Sequence, residues 1–222
     1  MASDQWVAKL LKWFEKNGVN YPFRYTSDPY RILISEILLR QTTAKQVATI
    51  YGRFFKQYPN PYALMEASNS ELKKVIKPLG IASRARILKQ IARDLVNEFQ
   101  GQVPKDMESL IRLGGVGRYI ASCVLTFGFN KPTPMVDVNV MRVLSRIYQI
   151  PIDKAHSEQY WVLYTRIAPY KKVHQFHYAL IDLAHLLCKT RKPFCQVCPI
   201  RPHCIYARSH GYGSRIRRRP KL

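Results

Sequence analysis

Cys188, Cys195, Cys198 and Cys204 stand with six, two and five residues between them. Spacing this close and uneven lets one short loop aim four thiolates at a single centre. It suits a 4Fe-4S cluster better than a pair of disulfides. Zinc is the competing occupant, since Cys195 and Cys198 form the paired half of many zinc knuckles. A zinc ribbon, however, carries a second close pair, and Cys188 and Cys204 each stand alone. No charged n-region and apolar h-region precede Trp6, so no targeting segment is expected, and a reducing compartment in which the thiols stay available to metal. Cys123, between Ala121 and Val124 in an apolar stretch, reads as a small core residue.

A second constellation runs Leu113-Gly114-Gly115-Val116-Gly117-Arg118-Tyr119 between two apolar stretches, the second from Ile120 to Phe127. Two helices joined by so few residues need glycine, because the turn demands positive φ and leaves no room for side chains. Backbone amides at the start of the second helix, with the positive end of its dipole, suit a phosphate oxygen. A helix-hairpin-helix of this kind grips DNA without reading its sequence. An ordinary tight turn is the plainer alternative. Eighteen residues after Tyr119 comes Asp137, between Val136 and Val138 and just before a periodic stretch from Val140. It reads either as a helix N-cap, a role Asn139 could also fill, or as a carboxylate fixed beside a bound sugar-phosphate. Cleaving an N-glycosidic bond builds positive charge on the sugar, which a fixed anion stabilises while orienting the attacking water.

The elements that must position these residues read as helices almost throughout. Trp6, Leu10, Trp13 and Phe14 recur at helical spacing, with Ser3 or Asp4 as a start signal and Asn17-Gly18 as a stop. Val140, Val143, Leu144 and Ile147 form another stripe, as do Phe176, Leu180, Leu183 and Leu187. Prolines fall between stripes, where they begin or end helices rather than break them. An all-α bundle of short helices is therefore expected. Of the 222 residues 47% are hydrophobic, enough for a proper core, and no apolar run approaches the ~20 residues a membrane span needs. Thirty-six Lys plus Arg against 14 Asp plus Glu give a formal net charge of +22. Such a field attracts polyanions, and nucleic acid is the first partner to expect. The basic run from Arg215 to Lys221 reads as a frayed tail that adds nonspecific phosphate contacts.

Hairpin, aspartate and cysteine loop, in this order and at these separations, resemble the helix-hairpin-helix DNA glycosylases that carry an iron-sulfur cluster. Asp28-Pro29-Tyr30-Arg31-Ile32-Leu33-Ile34-Ser35-Glu36-Ile37-Leu38-Leu39-Arg40-Gln41-Thr42-Thr43 looks like the early helix of the mismatch thymine glycosylases and of the MutY adenine glycosylases. The resemblance spans about Trp6 to Tyr206. It implies two helical lobes: a six-helix barrel with the hairpin over residues 21–131, and a helical cluster domain made of 1–20 with 132–222. It further implies double-stranded DNA with a mismatched or damaged base as partner, a monomer, and a cytoplasmic, nucleoid-associated protein of prokaryotic type.

Endonuclease III-like members carry a lysine after the Gly-Arg pair, and its amine attacks the sugar and then nicks the strand. Here that position is Tyr119, which cannot form a Schiff base, so a monofunctional enzyme is expected. MutY-type enzymes usually carry a further C-terminal domain, and this chain stops soon after Cys204. Thymine or uracil opposite guanine is therefore the preferred substrate. An adenine glycosylase without its recognition domain and a noncatalytic iron-sulfur DNA-binding protein are the alternatives. By the same resemblance Asp137, Tyr119 and Glu36 are catalytic. Glu36 lies on a helix apolar nearly all round and faces the extruded base, or else pairs with Arg40 one turn on. Arg40 and Gln41 match positions that wedge into the gap left by a flipped nucleotide, with Ile81 as a second wedge or a core residue. Gly115, Val116, Gly117 and Arg118 are the hairpin's DNA contacts. Two residues depart from the family pattern: Gly114 stands where proline is usual, which would loosen the turn, and Val138 stands beside the aspartate where a smaller residue is usual.

Overall fold

The protein is described by a computed structural model covering residues 2–80 and 83–212, with side chains from Gln5 onward. Among these residues there are helices and no strand. In chain order the α-helices are α1 (Ala2–Asn17), α2 (Pro29–Leu39), α3 (Ala44–Gln57), α4 (Pro61–Glu66), α5 (Asn69–Ile76), α6 (Arg84–Phe99), α7 (Met107–Arg112), α8 (Arg118–Cys123), α9 (Val138–Tyr148), α10 (Ser157–Ile167), α11 (Val173–Leu186) and α12 (Ile205–Ser209). The chain divides into two compact units. One is Asn20–Thr133; the other combines the segment up to Val19 with the segment from Pro134 onward. No helix among the described residues is long and apolar enough to cross a membrane.

In the first unit α2 is the central element, packed by α3, α6 and α8. Its start is set locally: Asp28 accepts from the amides of Tyr30 (2.9 Å) and Arg31 (3.3 Å), and Pro29 occupies the first helical position, where a missing N–H costs nothing. Ile32, Leu33, Ile34, Ile37 and Leu38 are all buried. Burial on several sides explains why this helix lacks a polar face, and each such side chain contributes roughly 1.5–3 kcal/mol on leaving water. Truncating the fully buried Leu33 to alanine would cost about 2–5 kcal/mol. Capping boxes at Thr43 with Gln46 and at Ser68 with Glu71 start α3 and α5.

The apolar stretch from Ile120 to Phe127 is not one regular helix. After α8 the winding loosens into a π-helical turn over Val124–Gly128, which packs on α2. A Cβ at Gly128 would lie 3.1 Å from Pro29 Cα, so this turn meets the start of α2 at close range. Periodicity alone does not separate α from π winding.

In the second unit α1 packs on α11 and α10, and α9 packs on α11 and α12. The helix already runs from Ala2, so Ser3 and Asp4 lie inside it, while Gly18 ends it as expected, its amide bonding Phe14 O at 2.7 Å. Trp6 is buried against Phe176 and donates to Tyr148 Oη at 3.0 Å. The stripe Val140, Val143, Leu144 and Ile147 is buried, which orients α9 and fixes where its first residue points. Cys123, in the first unit, is fully buried, in keeping with a core role.

Candidate functional site

Asp137 is the N-cap of α9. Its Oδ1 accepts from the amides of Asn139 (2.9 Å) and Val140 (2.7 Å), and its Oδ2 accepts from the Asn139 side-chain amide (2.7 Å). The cap and the candidate catalytic carboxylate are thus the same group: ending the helix is what holds the anion still. A carboxylate offers about four acceptor positions, so three filled positions leave roughly one for a water or a sugar. Val138, the bulky residue next to it, is 73% exposed and points away from the core.

Asn139 does not act as the cap; it holds the cap's second oxygen. Its own Oδ1 accepts from Arg142 Nη2 (3.1 Å), and Arg142 Nε donates to the backbone carbonyl of Cys188 (2.9 Å). One chain of hydrogen bonds therefore runs from the Asp137 carboxylate through Asn139 and Arg142 to the first cysteine. Arg142 was not singled out in the sequence. The signal available was its i,i+3 spacing from Asn139 on a helix whose other face is apolar.

Cys188, Cys195, Cys198 and Cys204 all line one cavity, walled also by Val143, Ile147, Leu183 and Phe194. Arg146 clamps the loop around it: Nη1 donates to Cys188 Sγ (3.2 Å) and Lys189 O (2.8 Å), Nη2 to Thr190 O (2.8 Å), while its own carbonyl accepts from Cys204 Sγ (3.2 Å). Burial pushes the Cys195 thiol up to about 11, with Cys204 and Cys188 adding to it, and pushes the Cys198 thiol up to about 12. Burial is the main cause of both shifts, and a bound metal would favour the thiolate form over it. Among the described residues no three His, Cys, Asp or Glu are grouped tightly enough for one metal ion. Four cysteines around one apolar-walled cavity are a donor set of the kind a metal centre takes.

In the first unit the hairpin joins α7 to α8. Gly115 has φ +88°, and a Cβ there would lie 2.8 Å from Ile87, so both backbone and space demand glycine. Gly117 caps α8 with no side chain, and a Cβ there would meet nothing in the protein. Glycine at that open position leaves the backbone approachable from outside. Val116 is buried and its amide is given to Leu113 O (3.0 Å), which closes the turn. The amides of Gly115 and Gly117 have no acceptor among the described residues. Gly114 does not loosen the turn: its amide donates to Asp94 Oδ2 (3.0 Å), a bond that the family's proline could not make, and Asp94 Oδ1 accepts from Gln90 (2.7 Å).

Arg40 closes α2 and donates from Nη1 to Gly115 O (3.1 Å), tying the candidate wedge to the hairpin; its carbonyl accepts from Arg84. Gln41 follows, exposed and left-handed at φ +55°, a conformation that costs a non-glycine residue about 1–2 kcal/mol. Glu36 and Tyr119 are half-buried, on α2 and α8, which pack together, and Arg118 is exposed at the first position of α8. Ile81 lies outside the described residues. Lys131 is engaged with Lys105 O (2.6 Å), away from the motif.

The family model for base excision DNA repair proteins of the HhH-GPD superfamily matches residues 34–163, a span that begins within α2 and contains the hairpin and Asp137. The chain belongs to this superfamily. Among HhH-GPD relatives, a thymine-DNA glycosylase of Aeropyrum pernix is 38% identical over 89% of this chain and 92% of its own length. A thymine/uracil-DNA glycosylase of Pyrobaculum aerophilum is 36% identical over 89% of both chains. The solved structure of a thermostable thymine-DNA glycosylase superposes with a TM-score of 0.88 at 34% identity, over 94% of this chain and 97% of that one. The helical HhH-GPD fold expected from the motifs is thus the fold observed.

Proposed function

We propose that the protein is a monofunctional DNA glycosylase that hydrolyses the N-glycosidic bond of thymine or uracil mispaired with guanine. The observation that carries this is Asp137: a carboxylate held by three donors on its own helix, with one acceptor position left over, in a chain about 38% identical to a thymine-DNA glycosylase. As the base departs, the sugar gains positive charge. The fixed anion stabilises that charge without reorganising, and its remaining acceptor position orients the water that adds to the sugar. Tyr119 has no amine with which to trap the sugar, so the product is an intact strand with an abasic site. Glu36, half-buried on an otherwise apolar helix, faces the extruded base. Gly115 and Gly117 present amides to the strand, Arg118 adds charge, and Gln41 and Arg40 stand at the gap the base leaves.

Cys188, Cys195, Cys198 and Cys204 hold a 4Fe-4S cluster, which supplies structure to the loop and takes no part in hydrolysis. The support is the shared cavity, its apolar walls and the Arg146 clamp. Arg142 passes the position of that loop to Asn139 and so to Asp137. The partner is double-stranded DNA carrying the mismatch, bound by a monomer.

Duplexes containing T·G, U·G, A·G and A opposite 8-oxoguanine, incubated with the protein and then cleaved with alkali, test the substrate. Release from T·G and U·G alone, with no scission before alkali, is the expected pattern. Adenine release with T·G and U·G untouched would overturn it. Iron and sulfide analysis with a visible absorbance spectrum tests the cofactor, and zinc in place of iron would contradict it.

A further inference from the structure

Two hollows lie side by side on the Asn20–Thr133 unit and share Ser83. The smaller, about 90 Å³, is lined by Ile37, Arg40, Gln41, Ser83, Arg84 and Ile87. The larger, about 440 Å³, takes Lys73 and Asn69 from α5, and Arg86, Lys89 and Arg93 from α6. Among the described residues no acidic side chain lines either one. Arg86, Lys89 and Arg93 fall at i, i+3 and i+7, one face of the helix, which explains why three cations converge there.

The inner end shows that an acceptor is missing. Arg84 is 3% exposed; one arm of its guanidinium holds the Arg40 carbonyl, but Nη1 is buried with no partner. A buried cation with an unused donor is costly unless an anion supplies the missing bond. At the outer end, Lys73, Arg86 and Arg93 make no ion pair among the described residues. Lys89 spends two of its three N–H groups on the carbonyls of Met65 and Ala67 and keeps one. From Arg84 to Arg93 is nine residues, or roughly 13.5 Å at 1.5 Å per residue. That is longer than one small anion and suits a run of successive phosphates on one strand. The inner end also begins where the hairpin ends, since Arg40 touches Gly115.

We propose that the two hollows form a second strand site: a phosphodiester backbone leaving the Gly115 turn passes Arg40 and Arg84 and is then held by Lys73, Arg86, Lys89 and Arg93. This rests on the DNA-glycosylase reading, but extends the contact surface from the wedge onto α5 and α6, beyond the hairpin and the wedge themselves. Charge without base-reading groups gives grip rather than sequence preference.

The test is the salt dependence of binding to a T·G duplex, read by fluorescence anisotropy between 50 and 200 mM salt, for parent and for Lys73→Gln/Arg93→Gln. Each lost phosphate contact flattens the plot of log K against log salt by about 0.9, so the double variant should be shallower by about 1.8. Lys73→Arg/Arg93→Lys should restore the parental slope, and unchanged melting temperatures show that both variants fold. A parental slope in the glutamine variant overturns the proposal. So does loss of inorganic pyrophosphate binding with the DNA slope unchanged, since the hollow would then serve a small anion. Base release by the parent on the same duplex separates the two readings. An active parent with an unchanged variant slope sinks only the second site, whereas a parent that neither binds nor releases base sinks both.

Discussion

Arg142→Gln should slow base release without unfolding the helix that carries Asp137. The substitution removes the donors to Asn139 Oδ1 (3.1 Å), Cys188 O (2.9 Å) and Ala184 O (3.3 Å), while leaving the two backbone amides that bind Asp137 Oδ1. The cap therefore survives, and only the second carboxylate oxygen loses its support, through an Asn139 side chain now free to rotate. A hydrogen bond from a charged donor contributes about 1.5–3 kcal/mol. If one such bond fixes the productive orientation, the single-turnover rate falls roughly 10- to 100-fold, at about 1.4 kcal/mol per tenfold. Misplacing a catalytic group by an ångström gives a loss of similar size. Asn139→Ala cuts the same chain one link nearer the carboxylate. The double variant should then be no slower than the worse single variant, because both remove one path of support. Rapid-quench kinetics on a U·G duplex with protein in excess measures this. Additive losses in the double variant, or a parental rate in Arg142→Gln, would refute the relay.

Asp94→Ala frees the Gly114 amide and Gln90, and should weaken duplex binding about 5- to 30-fold, the equivalent of 1–2 kcal/mol, by loosening the hairpin; parental affinity would refute that. In metal-free protein, Cys195 and Cys198 keep their protons up to about 11 and about 12 against an ordinary 9.0. The folded state then holds protons that the unfolded chain releases, so stability is full below pH 9 and is lost as pH rises through 11 to 12. Thermal melts of metal-free protein from pH 8 upward should show this decline, and Cys195→Ala/Cys198→Ala should flatten it. Tyr119→Lys places an amine after the Gly-Arg pair and should yield a borohydride-trapped protein–DNA adduct, whereas a variant that releases base yet never traps would separate this hairpin from the lyase geometry.

Much of the helical framework was legible because its causes are local. The stripe at Val140, Val143, Leu144 and Ile147 is buried as spaced, and Asn17-Gly18 stops α1. Asp137 was legible twice, as cap and as candidate anion, and the two readings describe one group. What escaped the sequence depends on partners far along the chain. The Gly114 amide meets an aspartate 20 residues earlier, and Arg84 reaches the Arg40 carbonyl 44 residues back. Arg142 finds Cys188 46 residues on. Periodicity records which face is apolar, but is silent on which polar atom closes which turn. Val116 shows the same limit: a valine between glycines looks presented, and only the fold reveals that the turn uses its amide and the core its side chain. The π-helical turn after α8 was hidden by an apolar run that suits either winding.

The most direct test is Asp137→Asn, because asparagine caps a helix about as well as aspartate and keeps the acceptor for the two backbone amides, while it removes the charge together with the second oxygen that accepts from the Asn139 side chain. With melting temperature and duplex affinity near those of the parent, release of thymine and uracil opposite guanine should fall about 10²- to 10³-fold under single-turnover conditions. A folded, DNA-bound Asn variant that releases base at the parental rate would show that the Asp137 charge does not stabilise the sugar cation.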